Sequence, residues 1–361
     1  MSIKHLEEYR DPELARRLID RICHIRSKPV RLMEVCGTHT VSIFRSGVRS
    51  VLPVDISLVS GPGCPVCVTD QSDIDAFIAI SRMNGVIVAT FGDLIRVPGT
   101  ESSLEAERAG GRDIRMVYSP MDALDIARAH PDKRVVFLGV GFETTAPTIA
   151  ATMMTAMASQ LSNYLVYSAH KTVPPALDAL VNAPDVQIDG FILPGHVSVM
   201  IGSDAYLFLK TVHHMPSVIA GFEPADILQA VYLLVSQIHA GMPELDNAYP
   251  RAVTSTGNPK AISIMNAVFE PVDAAWRGIG TIPRSGLKIR EEYAVMDAAR
   301  QLDIRVPEPV IVTGCACGDI LKGIKTPPEC ALYKKRCTPV NPVGPCMVSS
   351  EGTCAAYYRY Q

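Results

Sequence analysis

VVFLGVGFETTAPT, residues 135–148, is the stretch that decides the fold class. It opens on an apolar, β-branched run from Val135 to Val140 with no polar alternation, as in a strand buried on both faces. The glycines at 139 and 141 then mark a tight turn, and residues 148–161 read as a helix. Buried strand, short turn and helix together make the repeating unit of a parallel α/β sheet.

The unit recurs on both sides. Candidate strands lie at 31–35, 56–59, 86–90, 114–118, 164–167, 188–193 and 217–220, with candidate helices at 70–83, 123–130 and 227–239. An amphipathic helix over 11–25 precedes them, with Leu14, Leu18 and Ile22 on one face. Nearly every strand runs into a polar or Gly/Pro-rich turn: CGTHT (36–40), SGPGCPVC (60–67), FGDLIRVPG (91–99), SAHKTVPP (168–175), LPGHVS (193–198) and AGFEP (220–224). Open parallel sheets bind ligands outside the carboxyl ends of their strands, so these turns are expected to face a shared cleft. The expected architecture is α/β, with two parallel-sheet, Rossmann-like domains facing that cleft and a C-terminal iron–sulfur region. The expected boundaries are an N-terminal helix in 1–30, a first α/β domain at 31–122 holding the first four strands, a second at 123–240 holding the next four, and a C-terminal domain at 241–361. From about Thr313 the chain turns Cys-, Gly- and Pro-rich, as in a small metal-stapled region.

The 361 residues are 48% hydrophobic and 20% charged, with a net charge of −3. That length supports two or three cores, and the near-neutral charge provides no footprint for nucleic acid or an anionic membrane. The first 17 residues are charged and lack the apolar core of a signal peptide, so a cytoplasmic setting is expected.

Ten cysteines fall in two groups. Cys36, Cys64 and Cys67 form the first, and Cys315, Cys317, Cys330, Cys337, Cys346 and Cys354 the second; only Cys23 stands apart. In a reducing compartment such clusters point to metal or redox chemistry. Cys64-Pro65-Val66-Cys67 has the spacing of a reversible disulfide at a helix start, and equally of half a zinc site. Cys36 reads either as a nucleophile or soft-metal ligand or as a buried packing thiol, and its polar loop favours function. The C-terminal six, with few histidines near them, suit all-thiolate ligation: an iron–sulfur cluster or a four-thiolate zinc site. Their irregular spacing among prolines favours the cluster. The GVGFET turn lacks the third glycine of a dinucleotide fingerprint. His196 stands at a strand end, and Asp93 with Arg96 forms either a salt bridge or a proton relay.

Six motifs in order, MEVCGTHT (33–40), GPGCPVC (61–67), FGDLIRVPG (91–99), GFETTAPT (141–148), LPGHVS (193–198) and CTPVNPVGPCMVSSEGTC (337–354), resemble the HypD family of hydrogenase maturation factors over almost the whole chain. The resemblance implies a protein that assembles the Fe(CN)2CO unit of [NiFe]-hydrogenases with the small partner HypC. Cys36 would coordinate the iron, HypC supplying another thiolate. Cys64 and Cys67 would be a redox pair fed by a C-terminal [4Fe-4S] cluster. HypE would deliver cyanide made from a carbamoyl group supplied by HypF. Cys330, Cys337 and Cys354 are the expected cluster ligands, with Cys315 or Cys317 preferred over Cys346 as the fourth. His39, Asp93 and His196 would orient ligands or relay protons. The competing reading is a standalone iron–sulfur thiol–disulfide reductase.

Overall fold

A computed structural model describes residues 8–25, 28–308 and 314–361. Its strands are β1 (Val30–Glu34), β2 (Ile56–Ser60), β3 (Val86–Thr90), β4 (Ile114–Met116), β5 (Arg134–Gly139), β6 (Tyr164–Ser168), β7 (Gly190–Pro194), β8 (Ser217–Ala220), β9 (Leu245–Asn247), β10 (Phe269–Trp276) and β11 (Gly280–Ile289). β3, β7 and β8 are buried at every position, as continuous apolar runs require when helices cover both faces. The helices begin where short polar side chains can take up free backbone N–H groups. Asp11 caps Pro12–His24 and Asp70 caps Gln71–Arg82, each accepting a backbone N–H of the first turn. Among the described residues, no helix is long and apolar enough to cross a membrane.

All pairings among the first nine strands are parallel, in two sheets of order β2-β1-β7-β8-β9 and β4-β3-β5-β6. The expected grouping of the first four strands in one sheet and the next four in another is therefore corrected. After β2 the chain leaves the first sheet, builds the whole of the second from β3 to β6, and returns with β7 to pair beside β1 (Met33 with Phe191). Periodicity reports that a strand is buried, not which strand lies beside it. A right-handed crossover is equally available at either connection.

The antiparallel hairpin β10–β11 was not expected, since residues 244–283 read only as a change of character with turns. Its strands are half-exposed and broken by a bulge between Val272 and Ala274, so they lack a buried run's signal. The hairpin is fastened by bridges from Trp276 to Thr69 and from Gly286 to Lys171. The cysteine-rich region is built of short helices and turns, as expected; its expected start near Thr313 lies outside the described residues. One buried cluster joins Met33 and Phe191 of the first sheet, Val88 and Val136 of the second, and Cys330, Cys337, Cys346 and Cys354.

The turns after β1 and β2 touch backbone to backbone. Gly37 donates its N–H to the Gly63 carbonyl at 3.0 Å. A Cβ on Gly63 would lie 2.2 Å from the Cys36 nitrogen, a separation that backbone atoms cannot relieve by rotating. Gly63→Ala should therefore lower stability by about 1–3 kcal/mol through overpacking. Gly92→Ala, whose added Cβ meets only the Met116 sulfur at an ordinary 3.5 Å, should stay within about 0.5 kcal/mol. Thermal and denaturant unfolding of the two variants checks the contrast.

Candidate functional site

Cys36 follows β1 and forms the N-cap of the helix Gly37–Arg45. It is buried, and burial pushes its thiol up to about 12. Beneath it lies Glu34, whose carboxyl accepts the Cys36 N–H at 3.1 Å and the Thr40 hydroxyl. Burial raises Glu34 to about 8, so it is largely uncharged at neutral pH.

His39 sits in the first turn of the same helix, fully buried. Its Nε2–H donates to the Gly221 carbonyl at 2.8 Å, and Nδ1 has no partner. Burial lowers its pKa to about 4, so the ring is neutral. Phe222, just after β8, lies between His39 and His196, with ring centroids 4.8 and 3.9 Å away. The two histidines thus meet through an aromatic ring, His39 inside and His196 exposed.

Cys64 caps its own one-turn helix, Pro65–Val68, separate from the longer Gln71–Arg82. The sequence had suggested one helix beginning near Asp70. The Cys64 sulfur accepts the Cys67 N–H at 3.2 Å. Its thiol points to Ser349 Oγ at 3.4 Å, and Ser349 in turn donates to Asp93 at 3.0 Å. Ser350 adds its N–H and hydroxyl to the same carboxylate oxygen. Asp93 therefore serves the C-terminal turn. The expected partnership with Arg96 does not form, because Arg96 turns instead to Glu105, 3.8 Å away, and to the Pro339 carbonyl. Thr38 donates to Glu351 at 2.6 Å, which brings the same turn over the Cys36 helix.

Cys67 is fully buried, its helix packs against that of Cys346, and burial pushes the Cys67 thiol up. The Cys346 sulfur lies 3.5 Å from that of Cys317. All six C-terminal cysteines line one small cavity of about 20 Å³, with Ile320, Leu332, Tyr333, Gly344 and Met347 completing the wall. Among the described residues no acidic or histidine side chain enters that wall, and its six thiols are soft donors, a set that fits an iron–sulfur cluster. Among the described residues, no three His, Cys, Asp or Glu side chains close on a single ion position; the sulfurs surround a space instead. The backbone N–H of Val343 donates to the Cys337 sulfur at 3.4 Å. Burial pushes the Cys354 thiol up, and Cys315 to about 11. In metal-free protein these thiols keep their protons, and binding a metal would release them.

Sequence reasoning missed Glu34, Ser349 and Glu351 as parts of the site, although all three lie inside the quoted motifs. The Glu143 carboxyl, in the turn after β5, is buried, with one oxygen accepting the Val173 N–H at 2.9 Å and the other without a partner among the described residues; burial raises it to about 7.

The neutral His39 has a consequence for stability. Between its folded value near 4 and the ordinary 6.5, the unfolded chain takes up a proton that the folded one refuses. This contribution is complete above pH 6.5 and is lost as pH falls toward 4, a change on the order of 3 kcal/mol. Denaturant unfolding of iron-free protein between about pH 7 and about pH 4.5 checks it. His39→Gln, which keeps a donor for Gly221, should lose less stability over that interval than the parent chain.

The comparisons with known proteins agree with one another. The family profile described as HypD, hydrogenase formation hypA family, matches residues 13–361. The chain is 44% identical to the hydrogenase maturation factor HypD of Azotobacter vinelandii, over 99% of this chain and 97% of that protein. It is 42% identical to HypD of Escherichia coli K12, over 99% and 98%. It is also 42% identical to a putative hydrogenase expression/formation protein of Methanocaldococcus jannaschii, over 97% and 98%. The chain belongs to the HypD family of hydrogenase maturation factors.

Proposed function

We propose that this protein, in its role in hydrogenase maturation, holds iron at Cys36 while the Fe(CN)2CO unit is assembled, and that it supplies electrons from a C-terminal [4Fe-4S] cluster. The observation that carries the reading is the run of sulfurs from Cys64 through Cys67 and Cys346 to Cys317 on the cavity wall. It supports one electron path between the two cysteine groups.

The close approach of Cys317 and Cys346 favours these two as a second dithiol, leaving Cys315, Cys330, Cys337 and Cys354 as the cluster ligands. When bound, the cluster supplies one-electron steps. The residues between it and the iron do thiol–disulfide exchange. Cys67 attacks Cys346 of an oxidised Cys317–Cys346 pair, breaking that disulfide, releasing the Cys317 thiol and forming a Cys67–Cys346 mixed disulfide; attack on Cys67 by Cys64 then releases the Cys346 thiol and forms Cys64–Cys67. One disulfide is lost and one gained, and two electrons with two protons pass from the first dithiol to the second. Run in reverse, the same exchange reduces the Cys64–Cys67 pair beside the iron.

The iron is cargo rather than a resident cofactor. Thiolate donors suit it, because they push electron density onto a metal carrying strong acceptor ligands. Cys36 contributes one thiolate and HypC another. HypE brings cyanide to the HypC-bound complex, in the cytoplasm. His39 is placed to support the Cys36 helix turn, and Asp93 to hold the Ser349 turn against Cys64. The exposed His196 is the one of the three that can exchange protons with an incoming ligand.

Infrared spectra of the protein purified with its small partner should show bound CN and CO bands that disappear in Cys36→Ala. Unaltered bands in that variant would remove Cys36 as the iron ligand. Iron and sulfide analysis separates the two C-terminal sets. Cys337→Ser should lose the cluster, its iron content falling several-fold. Cys346→Ser should keep the cluster while losing reduction of the Cys64–Cys67 disulfide.

A further inference from the structure

The six-cysteine cavity contains one polar side-chain group that no contact within the protein accounts for. Tyr333 lines the cavity and is 8% exposed; among the described residues its hydroxyl is buried without a hydrogen-bond partner. A buried hydroxyl left unpaired is costly, so such a group is expected to have a use. The other side chains of the wall offer only carbon and sulfur.

The position of Tyr333 is held from several sides. It lies in the loop between Cys330 and Cys337, its N–H donating to the Cys330 carbonyl at 3.0 Å and its backbone bridging to Cys337. Its ring meets Tyr358 edge-on, with centroids 6.3 Å apart, and the Lys334 ammonium stands 5.6 Å from its centroid. The phenol is therefore carried on the same short loop as two of the assigned ligands.

We propose that the Tyr333 hydroxyl donates a hydrogen bond to sulfur of the bound cluster and thereby raises the cluster's reduction potential. The proposal rests on reading the cavity as a cluster site. Reduction adds negative charge that is shared with the sulfurs, so a donor aimed at them stabilises the reduced form more than the oxidised one. Because the hydroxyl is already desolvated and fixed, little ordering accompanies the bond. Tyr333 is thus a tuning residue for the electron path, not a ligand.

The test is an anaerobic redox titration of the full chain followed by electron paramagnetic resonance, on the parent, Tyr333→Phe and Tyr358→Phe. Phenylalanine preserves the ring packing and removes only the oxygen. Tyr333→Phe should retain iron and sulfide, yet at a fixed solution potential its reduced-to-oxidised ratio should fall several-fold; a tenfold fall corresponds to ~59 mV for one electron. Pulsed spectra in deuterated buffer should show an exchangeable proton coupled to the cluster in the parent and not in Tyr333→Phe. Tyr358, exposed and absent from the cavity wall, should leave both readings unchanged on substitution. An unshifted potential in Tyr333→Phe overturns the proposal. So does an equal shift in Tyr358→Phe, which would trace the effect to packing, or loss of iron and sulfide in Tyr333→Phe, which would make the hydroxyl a requirement for assembly. Parent protein free of iron and sulfide would instead remove the cluster reading beneath it.

Discussion

The turn at residues 349–352 is the constraint on which the site depends. Ser349 receives the Cys64 thiol and donates to Asp93, and Glu351 receives the Thr38 hydroxyl. These bonds tie the C-terminal end of the chain to the turns after β1, β2 and β3, and so to strands of both sheets. The fit leaves no space for a side chain at Gly37, where an added Cβ would lie 2.5 Å from that of Glu351. Because the turn is seated there, Cys346, three residues before Ser349, arrives against Cys67. The turn is one of the places where the two cysteine groups meet inside their shared buried cluster.

A second feature follows from the closeness of this packing. Water is excluded, and the groups around Cys36 are held in their uncharged forms: Glu34 up to about 8, His39 down to about 4 and the Cys36 thiol up to about 12. Each shift is caused chiefly by burial. A site prepared in this way favours a cation that can take the thiol proton's place, since such a cation would restore the charge balance that burial disfavours. The C-terminal cavity follows the same logic with sulfur, burial pushing the Cys315 and Cys354 thiols up.

Much of this was legible locally. The continuous apolar runs at 86–90 and 217–220 match β3 and β8 residue for residue, and Asp11 and Asp70 cap the helices expected to start beside them. Cys36, Cys64, Cys67 and the C-terminal six stood out by residue type and spacing, which are visible without any tertiary contact. Strand pairing was not legible: β1 and β7 are some 160 residues apart in sequence, and nothing in either run distinguishes the other from β3 or β5 as a neighbour. The half-exposed hairpin β10–β11 was missed for a related reason, since a bulged, partly wet ribbon carries neither period cleanly.

The sequence by itself therefore determined the α/β class, the grouping of the cysteines and the family. These are encoded in short windows, where periodicity and side-chain chemistry act over a few residues. Only the tertiary structure decided that the chain leaves its first sheet and returns, that Cys317 stands beside Cys346 and not free on the cavity wall, and that Asp93 serves Ser349 and not Arg96. Such facts depend on which distant surfaces exclude water together. That choice is made by the packing of the whole chain, and no local stretch contains it.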